Sequence, residues 1–486
     1  MPDSLSMVRF LLGNRLIELD LNIHPLYQPS TTVLNYLRSL TDRKGVKEGC
    51  AEGDCGACTV VVASPAGNGG LNYQAVNSCL IFLPWLNGKQ LITIEDLSDG
   101  KELHPVQELM VDLYGSQCGF CTPGILMSLF SLYKSRKAAT RENAIQLLSG
   151  NLCRCTGYQP ILEAAIKALE ADGTDSFGKC EKAVLDQLLK LHACSLSIDN
   201  GKQIYLRPST WKEALNLRQT HQDAYLTAGA TDVALRQSKK HEFLPKILDI
   251  SGIEELKTFQ ENEAGWTIGS GLPLEELWHL TAGKIPMSDE VFSVFASHQI
   301  RNMATLGGNI GSASPIGDTL PALTALEALL ELENTSGRRS FPIGNFITGY
   351  RKTELLPDEI IRSVYIPKPD EDVIFRFIKV SKRKELDIST VSMAASLKLA
   401  PANRIEKVIL AYGGMAERPL RASKTEAWLI GKPWDRSHAE EAARLIIEEF
   451  SPISDARANK EARNIMARNL FMKFFVETPL SSANHE

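Results

Sequence analysis

The sequence lacks the marks of a membrane protein, a secreted protein or a nucleic-acid binder. No apolar run approaches the roughly 18 residues of a membrane span, so no membrane association is expected. Lys and Arg total 53 against 58 Asp and Glu, a formal net charge of −5 with no clustered basic excess, which argues against nucleic acid as a partner. In the opening MPDSLSMVRFLLGNRLIELDL the short apolar stretch is broken by Arg9 and then by polar residues, which is not a secretory layout. A cytoplasmic address follows, where disulfides are disfavoured. Also missing is a G-x-G-x-x-G turn opening a βαβ unit, which excludes a Rossmann dinucleotide site. The 486 residues, 44% hydrophobic, suffice for two to four domains at about 100–200 residues each.

What is present is cysteine. Eight of the ten fall into two quartets. Cys50, Cys55 and Cys58, followed by a distant Cys79, have the x4, x2 spacing of a plant-type [2Fe–2S] ferredoxin, in which each iron takes two thiolates. Gly49, Gly53 and Gly56 let the loop adopt positive φ and turn backbone N–H groups toward the sulfurs. Around them, residues 7–21 read as a hairpin turning at Gly13-Asn14, Thr31 or Thr32 as the cap of a helix over VLNYLRSL, and TVVVAS as a buried strand.

The second quartet, Cys118, Cys121, Cys153 and Cys155, sits among four stretches of helical periodicity, VQELMVDLYG, ILMSLFSLYKS, TRENAIQLLSG and PILEAAIKALEA. Thr122-Pro123 reads as an N-cap followed by proline at the first helical position, and Gln159-Pro160 repeats the layout, which aims helix N-termini at an anionic cluster. That makes this cluster the expected better electron acceptor of the two. A structural zinc site is the alternative for either quartet, although zinc patterns favour paired C-x2-C units. Cys180 and Cys194 lie outside both quartets.

GCAEGDCGAC, QCGFCTPG and NLCRCTGY together resemble the iron–sulfur portion of the xanthine dehydrogenase family of molybdenum hydroxylases over about residues 7–168. Two small-residue stretches extend the resemblance. TAGATD follows a strand, and ATLGGNIGSASPIGD is expected to be a second loop; in the family two such loops clasp the diphosphate of FAD. The resemblance therefore implies FAD contacts from Thr227, Ala228, Gly229, Ala230, Thr231, Asp232 and Val233, and from Ala304, Thr305, Gly308, Asn309, Ser312, Gly317 and Asp318. It also places Phe295 and Ile361 beside a ring of FAD and Lys379 near the flavin. SKRKELD reads as a solvated turn, with a grip on dinucleotide phosphates as the alternative.

The implied fold class is multidomain α+β. It comprises a β-grasp ferredoxin-like domain (residues 1–90), a four-helix [2Fe–2S] domain (91–170) and a linker with one short helix (171–200). An FAD-binding domain of the molybdopterin dehydrogenase type (201–375) and an α+β C-terminal domain (376–486) follow. No pterin motif or hydroxylation site occurs, so no catalytic residue is assigned, and the resemblance implies a molybdopterin-binding large subunit as partner in a dimer of heterodimers. The activity implied is hypoxanthine and xanthine oxidation, with electrons passing through two clusters to FAD and then NAD+. An aldehyde or other N-heterocycle as substrate, or a stand-alone electron carrier, are the alternatives.

Overall fold

The computed structural model describes residues 6–478 except 68, 99, 101, 136, 172–173 and 192–194; Cys194 lies outside the described residues. The chain forms two compact units, Met1–Glu254 with Ser297–Ala304, and Glu255–Ala296 with Thr305–Glu486. In the first, β1 (Met7–Leu12) and β2 (Arg15–Asp20) form the expected hairpin, with Gly13 at φ 56° in the turn. Thr32 caps α1 (Val33–Ser39) by accepting from the Asn35 N–H. Strands β3 (Thr59–Pro65), β4 (Leu71–Asn77) and β5 (Gln90–Ile92) complete a sheet ordered β2-β1-β5-β3-β4, with β1 and β5 parallel. The Val60–Ala63 stretch of its strand β3 is continuously apolar because both faces are covered. Val60 and Val62 join the core under α1, while Val61 and Ala63 point the other way into the helical core.

That second core belongs to α2 (Pro105–Asp112), α3 (Thr122–Ser135), α4 (Arg141–Leu148) and α5 (Gln159–Glu170). Helix α3 is buried continuously from Gly124 to Tyr133, with Phe130 fully enclosed. The region read as a linker holds α6 (Ser176–Leu191), much longer than the short helix expected and firmly docked. Asp175 at its start accepts from Lys134 Nζ at 2.9 Å and the Gly178 N–H at 2.7 Å, and lies 3.1 Å from His104 Nε2. Glu181 accepts from the Leu71 N–H, and Val184 and Leu188 pack on Leu11. Amphipathic periodicity reveals such a helix, but the buried carboxylate that fixes it is not visible in sequence.

The rest of this unit is a four-stranded sheet of β6 (Leu196–Asp199), β7 (Ile204–Arg207), β8 (Tyr225–Thr227) and β9 (Lys246–Asp249), ordered β6-β7-β9-β8, with β7, β9 and β8 parallel. Between its strands lie α7 (Trp211–Thr220), capped by Thr210, and α8 (Val233–Ser238).

The second unit begins with β10 (Phe259–Glu261), β11 (Gly265–Gly269), α9 (Leu274–Thr281) and α10 (Met287–Phe292). The chain then returns to the first unit for α11 (His298–Arg301), before α12 (Leu306–Ser312) and α13 (Thr319–Ala325). Strands β12 (Leu329–Asn334) and β13 (Gly337–Pro342) precede α14 (Ile343–Phe346), the small hairpin β14 (Ile347–Gly349) and β15 (Lys352–Thr353), and β16 (Ile360–Pro367). The antiparallel order is β10-β11-β16-β12-β13.

A further antiparallel sheet, β17 (Ile374–Val380), β18 (Val391–Ala400), β19 (Arg404–Gly413) and β20 (Leu420–Arg421), is covered by α15 (Ser423–Leu429), α16 (Arg436–Glu449) and α17 (Lys460–Glu477). Met393, Ala395 and Leu397 alternate into a core with Ala442, Ile446, Phe471 and Phe474. The multidomain α+β class expected from the sequence is the class observed. Among the described residues no helix is long and apolar enough to cross a membrane.

Candidate functional site

The β3–β4 register brings two members of the first quartet together. Thr59 pairs with Asn77, so Cys58 just before β3 faces Cys79 just after β4, with Sγ atoms 3.4 Å apart. Both are buried; Cys50 and Cys55 are half-buried in the preceding loop. A Cβ on Gly49 would lie 2.9 Å from Cys55 Sγ, so this position needs its missing side chain. The thiol of Cys55 donates to Cys50 and, with the N–H groups of Glu52, Cys55 and Asp54, brings the Cys50 thiol down to about 5 against burial. Cys58 is likewise lowered, chiefly by the Cys79 thiol. The same thiol–thiol hydrogen bonds, with burial, raise Cys55 and Cys79, so the fit rests on the backbone donors around sulfur, which suit an anionic cluster. The residues therefore fit a [2Fe–2S] group.

The second quartet is more open. Cys118 and Cys155 are exposed, Cys121 is half-buried and Cys153 buried. The Phe120 N–H and the Cys155 thiol lower the Cys118 thiol. Burial pushes Cys153 upward, but the hydroxyl and N–H of Thr156 and the N–H of Cys155 outweigh it. The expected helix starts shift by one residue. Thr122 is already the first residue of α3, its Oγ1 lying 2.7 Å from Ser116 Oγ, and α5 begins at Gln159 behind Tyr158, at φ 67°. Cys121 directly precedes its helix; Cys155 does not, because Thr156, Gly157 and Tyr158 intervene. Tyr158 instead turns its Oη back to accept from the Cys153 N–H at 2.9 Å.

The two cysteine loops touch. The Leu152 N–H donates to the Cys55 carbonyl at 3.0 Å, one residue from Cys153. Asn151 Nδ2 donates to the Gly56 carbonyl at 3.2 Å, and Asn151 Oδ1 accepts from Ser128 Oγ at 2.6 Å and from Gln299 Nε2 at 2.8 Å. The approach depends on glycine. A Cβ on Gly56, at φ 69°, would meet the Gly150 carbonyl at 2.2 Å, and one on Gly124 would meet the Gly56 carbonyl at 2.1 Å. Asn151, Leu152 and Gln299 were not singled out from the sequence, because their partners are distant along the chain and leave no periodic signal.

The first unit also holds part of the expected FAD contact set. Thr227 closes β8 opposite Asp249, and its Oγ1 is buried without a hydrogen-bond partner. Gly229 is buried against the Met303–Ala304 segment: a Cβ there would lie 1.7 Å from the Met303 carbonyl. Ala230 takes φ 58°, after which Asp232 starts α8 at Val233. Thr227–Val233 and Ala304 are thus brought together, with half-buried Ala228, Ala230, Thr231 and Asp232 around buried Gly229.

The other members lie in the second unit. The stretch expected to be a loop is partly the helix α12: Thr305 caps it by accepting from the Gly308 N–H at 3.0 Å, and only Ala313–Gly317 continues as loop. Gly307 is demanded by packing, since its Cβ would meet Ser270 Cβ at 2.5 Å. Gly308 and Gly311 are exposed and face almost open space, where a Cβ would find only Thr305 Oγ1 at 3.0 Å or Ile361 Cδ1 at 3.8 Å. That face leaves room for a ligand to approach the backbone closely. Asn309 Oδ1 accepts from Thr319 Oγ1, and Ser312 Oγ donates to the Asn309 carbonyl. Asp318 and Lys379 form a buried ion pair at 2.9 Å; Ser389 Oγ donates to Asp318, and Lys379 donates to the Val294 carbonyl beside half-buried Phe295. Each unit by itself fits a part of FAD: in the second the open glycine face, and in the first the partnerless Thr227 Oγ1 beside the close-packed Gly229. In SKRKELD, Arg383 folds back onto Asp387, so that guanidinium is already satisfied.

Three family models match the chain. A [2Fe-2S] binding domain covers residues 93–166, the FAD binding domain in molybdopterin dehydrogenase 197–369, and the CO dehydrogenase flavoprotein C-terminal domain 376–478. The xanthine dehydrogenase/oxidase of Rattus norvegicus is 31% identical over 97% of this chain and 39% of its own length. Xanthine dehydrogenase 1 of Arabidopsis thaliana is 33% identical over 92% and 38%. The chain therefore spans under half the length of the curated relatives it matches. Among solved structures, the carbon monoxide dehydrogenase of Hydrogenophaga pseudoflava is 25% identical, with 55% of this chain and 94% of that one covered at a TM-score of 0.53. The quinoline 2-oxidoreductase of Pseudomonas putida 86, at 24% identity and a TM-score of 0.52 over 56% and 95%, shares the fold. The chain belongs to the molybdenum hydroxylase family, as its iron–sulfur and FAD portion.

Proposed function

We propose that this is the iron–sulfur and FAD part of a xanthine dehydrogenase, relaying electrons from a molybdenum-cofactor partner through two [2Fe–2S] clusters to FAD and NAD+. The molybdopterin-binding partner chain oxidises hypoxanthine and xanthine to urate, in a cytoplasmic dimer of heterodimers. The observation that carries the relay is the junction of the two quartets, where the Leu152 N–H meets the Cys55 carbonyl. The xanthine assignment is supported by the names of the curated relatives.

Cys50, Cys55, Cys58 and Cys79 would hold one cluster; Cys118, Cys121, Cys153 and Cys155 would hold the other. Thr227–Val233, Ala304, Thr305, Gly308, Asn309, Ser312, Gly317 and Asp318 would line FAD, with Phe295, Ile361 and Lys379 beside its rings. When bound, the clusters carry single electrons and the flavin converts them to a hydride. The protein's own part is position. Glycines bring the loops within hydrogen-bonding distance, buried backbone donors steady the thiolates, and the Asp318–Lys379 pair fixes the end of the small-residue segment. Exposed Cys118 and Cys155, flanked by exposed Phe120 and Tyr158, present the second quartet to the partner.

The test is anaerobic addition of xanthine to the chain isolated with its molybdenum partner. Bleaching of both flavin and iron–sulfur absorbance supports the whole reading. A spectrum unchanged by xanthine, with an active partner present, discards the purine assignment. The likeness to a solved carbon monoxide dehydrogenase favours a second reading, the same relay serving another substrate such as an aldehyde or N-heterocycle. A substrate panel on the assembled complex separates the two.

A further inference from the structure

Lys239 lies directly after α8, the helix that follows the TAGATD loop, and reaches the first cysteine loop from there. Its Nζ donates to the Cys50 carbonyl at 3.1 Å and lies 3.1 Å from a Glu52 carboxylate oxygen. The Glu52 N–H in turn points at Cys50 Sγ, 3.4 Å away. A cation thus sits on the peptide of a proposed cluster ligand, countered by an anion on the same loop. Adding an electron to a cluster increases its negative charge, so a nearby cation favours the reduced form and a nearby anion opposes it. Both side chains are partly exposed, at 44% and 37%, so solvent screens the effect without abolishing it.

We propose that Lys239 is a positioning residue for the first cysteine loop, holding a positive charge on the Cys50 peptide and raising the potential of the cluster bound there, with Glu52 setting the opposite bias. The proposal rests on the reading that Cys50, Cys55, Cys58 and Cys79 hold a [2Fe–2S] cluster. It adds a tuning device that ties this loop to the segment following the flavin loop, since one short helix separates Asp232 from Lys239. No change at the second quartet is expected.

The test is a redox titration followed by EPR on the assembled holoenzyme, with iron and sulfide counted in each sample. Lys239→Met is expected to shift the reduction equilibrium of the first cluster toward the oxidised form by up to tenfold, about 59 mV for one electron. Glu52→Gln is expected to shift it the other way, and Lys239→Arg to restore most of the wild-type value. Raising ionic strength should shrink the difference between wild type and Lys239→Met. Unchanged potentials, or shifts of the same sign in Lys239→Met and Glu52→Gln, overturn the proposal, because a merely structural loss would not depend on the sign of the charge removed. Loss of cluster from Lys239→Arg also overturns it. A wild-type protein with no iron in the first site removes the cluster reading itself, a failure distinguishable from an unchanged potential in a loaded protein.

Discussion

The two cysteine quartets are solved by different architectures. The first is set by a sheet: the β3–β4 register places Cys58 and Cys79 side by side, and both are buried. The second is carried by helix ends and turns, and half of it faces solvent. Burial and dense backbone donors suit a site that must not exchange ligands or meet water. Exposure suits one that must be reached from outside the chain. The contrast is the physical argument for the order of transfer we propose, in which the exposed second quartet takes electrons from the partner and the buried first quartet passes them on to FAD.

The largest effect expected from breaking that comparison comes from the cysteines themselves. Cys118→Ser should abolish xanthine-driven flavin reduction in the complex while leaving NADH-driven flavin reduction intact, both read by stopped-flow absorbance. If both survive, the order is wrong. Cys58→Ser should cost the first cluster's EPR signal and leave the second's. Next in size is Gly56→Ala, which places a Cβ 2.2 Å from the Gly150 carbonyl at a left-handed backbone position. The strained conformation and the overpacking together should cost about 2–4 kcal/mol, read as a lowered melting temperature. Weakened magnetic coupling between the clusters should accompany it if the junction sets their separation.

The smallest effect concerns the docking of α6. Burial pushes the Asp175 carboxyl upward, but hydrogen bonds from His104, Lys134 and the Gly178 N–H outweigh it and hold it below the usual carboxylate range. A carboxyl depressed in the folded state contributes stability above its unfolded value and loses it as pH falls through the folded one. Asp175→Asn should therefore destabilise the protein at neutral pH, with the gap to wild type closing as pH drops below about 4. Chemical denaturation at several pH values checks this. A gap independent of pH would mean that the side chain acts through shape alone.

Local patterns were legible in the sequence to different depths. The hairpin at Gly13 and the four helical stretches depend on near neighbours and stand as read, and the Cys50-x4-Cys55-x2-Cys58 spacing is a signal of the same local kind. The caps read at Thr122 and Gln159 are off by one, since both residues already lie within their helices and Tyr158, ahead of α5, makes no side-chain capping bond. Residues 306–312, rich in glycine, read as loop but fold as α12, whose packing of Gly307 on Ser270 overrides weak propensity. Asn151, Gln299 and Lys239 were invisible for another reason. A buried polar hub or a lysine on a distant carbonyl is a relation between remote segments, and one sequence does not display it.

Residues Ser297–Ala304 complete the first unit although they follow the first stretch of the second. Gln299 from this segment satisfies Asn151 in the hub between the cysteine loops. At about 5–20 residues per second, synthesis of residues 255–304 takes several seconds, and for that interval the first unit waits on the ribosome with its hub incomplete and the surface under Gly229 uncovered. Completion of the first unit is thus tied to synthesis of the opening stretch of the second, and a chain cut before residue 297 would leave both the hub and the Gly229 surface open.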